Sequence, residues 1–216
     1  KIEPDEIEIL AAMVDIQGKL EHWKPMLLNL DLLINLQPAE MKWPLTRLAA
    51  LHGCKDFEEL VEESLLLLNL YPEHPKILLL LASAYYELNN CPLGLDVINV
   101  SIELNSGAAQ PFLIRGLIYR SMGERELAKI DLFKAESLGE NTIILYNALG
   151  AWHADVHQHE VALDYYCKAI SLQPESKIIS DIALNASLSA MSLGEFDKGW
   201  EFYAYRKYGA VAKETT

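Results

Sequence analysis

An all-α fold of repeated helical hairpins is predicted by three observations: the residue types that dominate, the scarcity of helix breakers, and self-similarity at one period. Leu, Ala, Glu and Ile are the commonest residues, and they favour helix over strand. Only 11 Gly and 9 Pro occur among 216 residues, with no Ser/Gly linker or low-complexity tract. Hydrophobic residues make up 51% of the chain, enough for a real core. The period shows first in proline. Pro38 and Pro72 are 34 apart, and Pro174 lies three such steps further on, with Ser106 and Glu140 at the intervening places.

The elements follow in order. Apolar periodicity in Ile7, Ile9, Leu10, Met13 and Val14 predicts a helix at about 5–17, and Met26, Leu27, Leu30 and Leu33 predict one at 23–36. The second copy gives helices at 43–53 and 57–70, closed by Pro72, which cannot continue a helix. Helices at 75–88 and 92–104, 109–122 and 125–137, and 143–155 and 159–171 complete three well-formed copies. The last copy is displaced, with a shift of 37 in place of 34, so that Gly199 matches Ala162 and Tyr203 matches Tyr166. Three extra residues then lie between Pro174 and Ala183. Gly194 is the turn glycine between helices at 178–192 and 196–207. The repeats run over about 7–40, 41–74, 75–108, 109–142, 143–176 and 180–213, a single domain spanning 1–216.

Six slots hold their size through the three good copies. Leu78, Phe112 and Tyr146 are large; Ala82, Gly116 and Gly150 are small; Tyr85, Tyr119 and His153 are rings. Gly94, Ala128 and Ala162, then Ile98, Leu132 and Tyr166, then Ser101, Ala135 and Ala169 complete the set. Small residues let the two helices of a hairpin approach closely, and large ones fill the gaps.

This pattern resembles the tetratricopeptide-repeat (TPR) family, with its W-x2-L-G-x2-Y, A-x3-F, A and P signature. The copy from Ile143 to Ser176 matches best, through Tyr146, Leu149, Gly150, Ala162, Tyr166, Ala169 and Pro174; His153 departs from the family's Tyr. The preceding copy carries Phe112, Gly116, Tyr119, Gly123, Ala128 and Ala135, and the first two copies are weaker. The resemblance implies a right-handed superhelical solenoid whose concave face is lined by the first helix of each repeat.

Composition narrows the function. The net charge of −13 shows no basic face for nucleic acid. No apolar run reaches membrane-spanning length, and the first residues do not read as a signal peptide. The first residue is Lys, in keeping with a segment of something longer. Cys54, Cys91 and Cys167 contain no C-x-x-C and read as small core residues of a reducing, cytoplasmic compartment. No phosphate loop, dinucleotide fingerprint or H-E-x-x-H is present, so neither catalysis nor a cofactor is expected. The cluster His153, Asp155, His157 and His159 would suit a metal only if the helix continued through it. His153 instead occupies the slot of Tyr85 and Tyr119, and His157 that of Gly123 and Gly194, so the helix is expected to end between them.

By the resemblance, the lining slots fall on Lys76, Leu79, Ser83 and Tyr86; on Gln110, Leu113, Leu117 and Arg120; and on Ile144, Asn147, Ala151 and Asp155. Lys42, Leu45, Ala49 and His52 precede them, and Asp181, Leu184, Leu188 and Met191 follow. Leucine recurs at Leu45, Leu79, Leu113 and Leu184. It either lines a groove for an amphipathic helix or apolar peptide or is itself buried. The basic clamp of co-chaperones is missing at Leu79, Ser83, Leu113 and Leu117. The asparagine ladder of O-linked N-acetylglucosamine transferases is missing at Thr46, Leu80, Ile114 and Ala148, with Asn185 alone. The stretch Gly194 to Arg206, with Phe196, Gly199, Trp200 and Tyr203, resembles the end of TPR arrays that precede catalytic domains in bacterial glycosyltransferases. A cap in which Trp200, Phe202 and Tyr203 cover the last repeat explains the same residues. The expected function is a non-catalytic scaffold for a protein or peptide partner; the alternative is the docking arm of a glycosyltransferase-type enzyme. Self-association is left open.

Overall fold

The computed structural model describes residues 4–172 and 179–205. Pro174, Ser176 and Arg206 lie outside the described residues, as does most of the three-residue insertion. Twelve helices and no strand occur among the described residues: α1 (Pro4–Lys19), α2 (Trp23–Leu36), α3 (Lys42–Cys54), α4 (Phe57–Leu70), α5 (Pro75–Glu87), α6 (Cys91–Leu104), α7 (Ala109–Ser121), α8 (Arg125–Ser137), α9 (Ile143–Asp155), α10 (His159–Leu172), α11 (Ile179–Ser192) and α12 (Phe196–Ala204). Local chemistry sets several of these starts. Asp56 caps α4 by accepting from the Glu59 N–H, and the Thr142 hydroxyl accepts from the Leu145 N–H at 3.3 Å. Pro75 opens α5, where its missing N–H costs nothing.

Each hairpin reverses in the same way. Glu21, Lys55, Asn89, Gly123, His157 and Gly194 all have φ between 54° and 80°. They occupy one slot, 34 residues apart until the last step of 37. The next N–H in each turn reaches back to the carbonyl five residues earlier, at 2.8–3.0 Å, as in Asn90 to Tyr85 and Gln158 to His153. This is the Schellman closure of a helix C-terminus. Of these six, Gly123 and Gly194 adopt the left-handed backbone without a Cβ penalty.

The residues fall into two compact units, Lys1–Ser106 and Gly107–Thr216. In unit 1, α2 packs between α1 and α3, α4 packs on α3 and α5, and α3 and α5 touch directly. Arg47 of α3 ties this unit together. Its guanidinium binds Asp31 of α2 and Glu59 of α4, each at 2.8 Å, and also Glu63 of α4. Burial pushes the Glu63 carboxyl up, and Arg47 opposes that shift. In unit 2, the first helices α7, α9 and α11 form a row, and the second helices α8 and α10 each pack on the first helices before and after them.

Inside each hairpin, one pair of slots is matched in size. The pairs are Val14 with Leu30, Leu48 with Ser64, Ala82 with Ile98, Gly116 with Leu132, Gly150 with Tyr166, and Ser187 with Tyr203. All are buried apart from the half-buried Tyr203. A Cβ on Gly116 would lie 2.9 Å from Leu132 side-chain carbons, and one on Gly150 2.7 Å from the Tyr166 ring. In the second hairpin the order reverses, with the large residue on the first helix and the small one on the second.

Candidate interaction surface

The expected lining residues divide by exposure. Lys76, Gln110 and Asp155 are exposed, while Leu79, Tyr86, Leu117, Arg120 and Asn147 are half-buried. Ser83 and Leu113 are buried, with only 5% of Leu113 accessible. Leu45 and Leu184 are half-buried, whereas Ile144 and Leu188 stand well exposed.

Two polar links join neighbouring first helices within a unit. In unit 1 the His52 Nε2 lies 2.9 Å from the Ser83 hydroxyl, connecting α3 to α5. The ring meets Phe57 edge-on at 5.7 Å. In unit 2, Arg120 of α7 donates to Asp155 of α9 at 3.3 Å. Asp155 stands one residue past the strict 34-residue slot, which is Ala154. Both members of this pair are open to water, so the pair orients side chains more than it stabilises the unit. The Asn147 side-chain oxygen is buried without a hydrogen-bond partner in the structure.

Burial lowers the affinity of His52 for a proton, against a smaller opposing pull from Glu87. The unfolded chain therefore takes up a proton here more readily than the folded one. Stability from this group is complete above the ordinary histidine range near pH 6.5 and is lost as pH falls through it toward the lower folded value. The urea midpoint of the wild type is expected to drop between pH 7.5 and 5.5. His52→Gln is expected to flatten that dependence, and an unchanged slope would show that His52 does not contribute.

The histidine cluster is split by the fold. His153 is buried on α9, where its Nδ1 donates to the Gln158 side-chain oxygen at 2.7 Å. Its ring stacks on Tyr165 at 5.4 Å and 15° and meets Phe133 and Trp152 edge-on. Helix α9 ends at Asp155, and His157 occupies the left-handed turn. Among the described residues no group of three or more His, Cys, Asp or Glu is placed to hold a metal ion. Tyr165 donates to the Glu136 carboxylate at 3.3 Å, and burial followed by that carboxylate pushes its hydroxyl up to about 12.

The C-terminal aromatics do not all cover the last repeat. Phe202 packs on the buried cluster of Tyr166, Ile182 and Ala186, and Tyr203 is half-buried. Trp200 leaves 60% of its surface accessible and touches Tyr203 edge-on at 5.6 Å. No described helix is long and apolar enough to cross a membrane.

Sequence comparison finds no matching family model and no matching curated protein. The fold does match solved structures. A thermophilic TPR protein of Thermus thermophilus shares 19% identity at a TM-score of 0.72, over 86% of this chain and 99% of that one. The APC/C hetero-tetramer Cut9–Hcn1 gives 14% identity and a TM-score of 0.72, with 97% of this chain spanning 48% of that one. MamA gives 19% identity and 0.60, over 77% and 95%. The chain thus has the fold of TPR proteins.

Proposed function

We propose that this chain is a non-catalytic protein–protein interaction module that receives a peptide or partner helix along its rows of first helices. The observation that carries this reading is the repeated apolar slot: Leu45 and Leu79 in unit 1, Leu184 in unit 2, with Ile144 and Leu188 exposed on the same row in unit 2. Half-covered apolar side chains on a rigid helical row supply affinity when a partner completes their burial. The polar slots Lys76, Tyr86, Gln110, Arg120, Asn147 and Asp155, with Leu117 among them, would set register around these contacts, while the buried Ser83 braces the row through His52. The 34-residue register runs unbroken from Tyr85 to Tyr119, which supports one repeat array over 1–216. The occurrence of this fold in the Cut9–Hcn1 hetero-tetramer supports a role in assembly. Three cysteines without a C-x-x-C spacing suit a reducing compartment such as the cytoplasm.

Photo-crosslinking tests the reading. A benzoylphenylalanine at Leu79 or Ile144 is expected to trap one polypeptide partner in cells, and Leu79→Asp to reduce its capture about ten-fold without loss of helical circular dichroism. Capture unaffected by Leu79→Asp would move the site off the first helices. Leu113→Asp does not serve this purpose, because it would bury a carboxylate and disturb the fold.

A second reading makes the array the docking arm of a glycosyltransferase-type enzyme. It draws on the Gly194–Trp200 stretch and on the Trp200 ring standing in solvent, free to meet a further domain. A catalytic domain encoded after residue 216 would favour it.

A further inference from the structure

The second helices of unit 1 carry an apolar row that faces solvent. Leu32 of α2, Leu66 of α4 and Val100 of α6 occupy one slot, 34 residues apart, and all three are exposed, Leu66 to 67%. One turn further on, Leu70 and Leu104 repeat at the same spacing and are exposed as well. Helices α2 and α4 flank the same guanidinium, since Arg47 binds Asp31 beside Leu32 and Glu63 one turn before Leu66. The row is therefore a feature of neighbouring hairpins and not of scattered single leucines.

The repeat supplies its own control. In unit 2 the same slot holds Lys134 on α8 and Lys168 on α10, both exposed. Lys134 and Lys168 keep a charge at this exposed position, and the Lys168 ammonium also lies over the Tyr165 ring at 4.5 Å. Leucine or valine exposed at this slot in all three hairpins of unit 1 makes a repeated apolar row, the kind of surface that marks an interaction site.

Charge selects the occupant. Unit 1 holds 7 Lys and Arg against 17 Asp and Glu, a net −10, whereas unit 2 holds 11 against 14, a net −3. Helices α4 and α6 contain no Lys or Arg. Glu62 and Asp96 stand exposed one turn before Leu66 and Val100, and Glu103 is exposed beyond Val100. Among the described residues, no cation pairs with these three carboxylates. A second copy laid on this face would bring −10 against −10. An anionic membrane would be repelled in the same way.

We propose that the outer face of unit 1 binds a cationic amphipathic helix, its apolar stripe on Leu32, Leu66 and Val100 and its flanking Lys or Arg on Glu62, Asp96 and Glu103. This surface lies on the second helices and is independent of the first-helix row. The apolar contacts hold the helix, and the carboxylates fix its approach and exclude acidic competitors.

Fluorescence anisotropy tests this with the full chain and a labelled helical peptide of about 18 residues, leucine along one stripe and lysine elsewhere. Saturable binding is expected. Leu66→Gln with Val100→Thr is expected to weaken it by about ten-fold or more. Both changes lie on exposed positions of the water-facing slot, so the fold is retained. Glu62→Gln with Asp96→Asn is expected to weaken it several-fold and to reduce its salt dependence. Glu126→Gln with Glu160→Gln, the same charge change in unit 2, is expected to leave it unaltered. Binding that survives the apolar pair within about two-fold, or equal binding of a leucine–glutamate helix, would overturn the proposal. A dimer seen by sedimentation and broken by Leu66→Gln would overturn it too, giving the face to a second copy.

Discussion

Gly150→Ala is expected to lower the stability of unit 2 by about 1–3 kcal/mol, seen as a lower urea midpoint. The added methyl would sit 2.7 Å from two carbons of the Tyr166 ring. That ring is 2% exposed, and burial pushes its hydroxyl up to about 12. Enclosed on all sides, it cannot swing aside, so the backbones of α9 and α10 must part. Tyr166→Ile alone is expected to cost about 2–4 kcal/mol by leaving a void over the glycine. The double variant reproduces the Ala82–Ile98 pair of the third hairpin and is expected to recover part of the combined loss. A double-mutant cycle measures this directly. Strict additivity would show that the two positions do not share a packing space.

Arg115→Met is expected to cost about 3–5 kcal/mol. Arg115 of α7 makes a forked contact with Asp131 of α8, Nε to Oδ2 at 2.6 Å and Nη2 to Oδ1 at 2.9 Å. Asp131 is 2% exposed, so removal of the guanidinium strands a carboxylate away from water. Asp131 holding the guanidinium raises the Arg115 affinity for its proton, partly against burial. Adding Asp131→Leu removes the stranded charge and is expected to restore most of the stability, since an apolar pair of similar volume replaces a buried ion pair at little net cost. Chemical denaturation of both variants decides the matter. A double variant no more stable than Arg115→Met would locate the loss in packing around Phe112 and Tyr119, whose rings face the guanidinium at 5.7 and 5.8 Å.

Helix positions were legible in the sequence because the 34-residue slots restrict side-chain size wherever two helices meet. The turn at His157 was legible by its alignment with Gly123 and Gly194. The turns at Glu21 and Lys55 were not, since nothing in those residue types asks for a left-handed backbone, whereas Asn89 carried a weak signal, asparagine being the usual alternative to glycine there. The second copy looked weak for a definite reason: Leu48 and Ser64 exchange the sizes that the other hairpins hold, which hides the pattern while filling the space. Exposure along the first helices was harder to read. Leu79, Leu113 and Leu184 share a slot, yet Leu113 is covered and the others are half open. The signature fixes where a residue sits on its helix, and the neighbours decide how much water reaches it. The run Leu65 to Leu68 likewise could not tell which leucine faces out; burial around Leu60 and Ser64 turns Leu66 to solvent.

The matched slots inside each hairpin bear on how such a chain can be lengthened or shortened over its history. A genetic crossover between hairpins carries both partners of a pair together and leaves every interior filled. One that falls within a turn splits them. Helix α3 followed by α10 would set Leu48 against Tyr166, and α9 followed by α4 would set Gly150 against Ser64, too much side chain in the first chimera and too little in the second. For the second hairpin, whose sizes are reversed, the whole hairpin and not the single helix is therefore the segment that can be exchanged without a clash or a void.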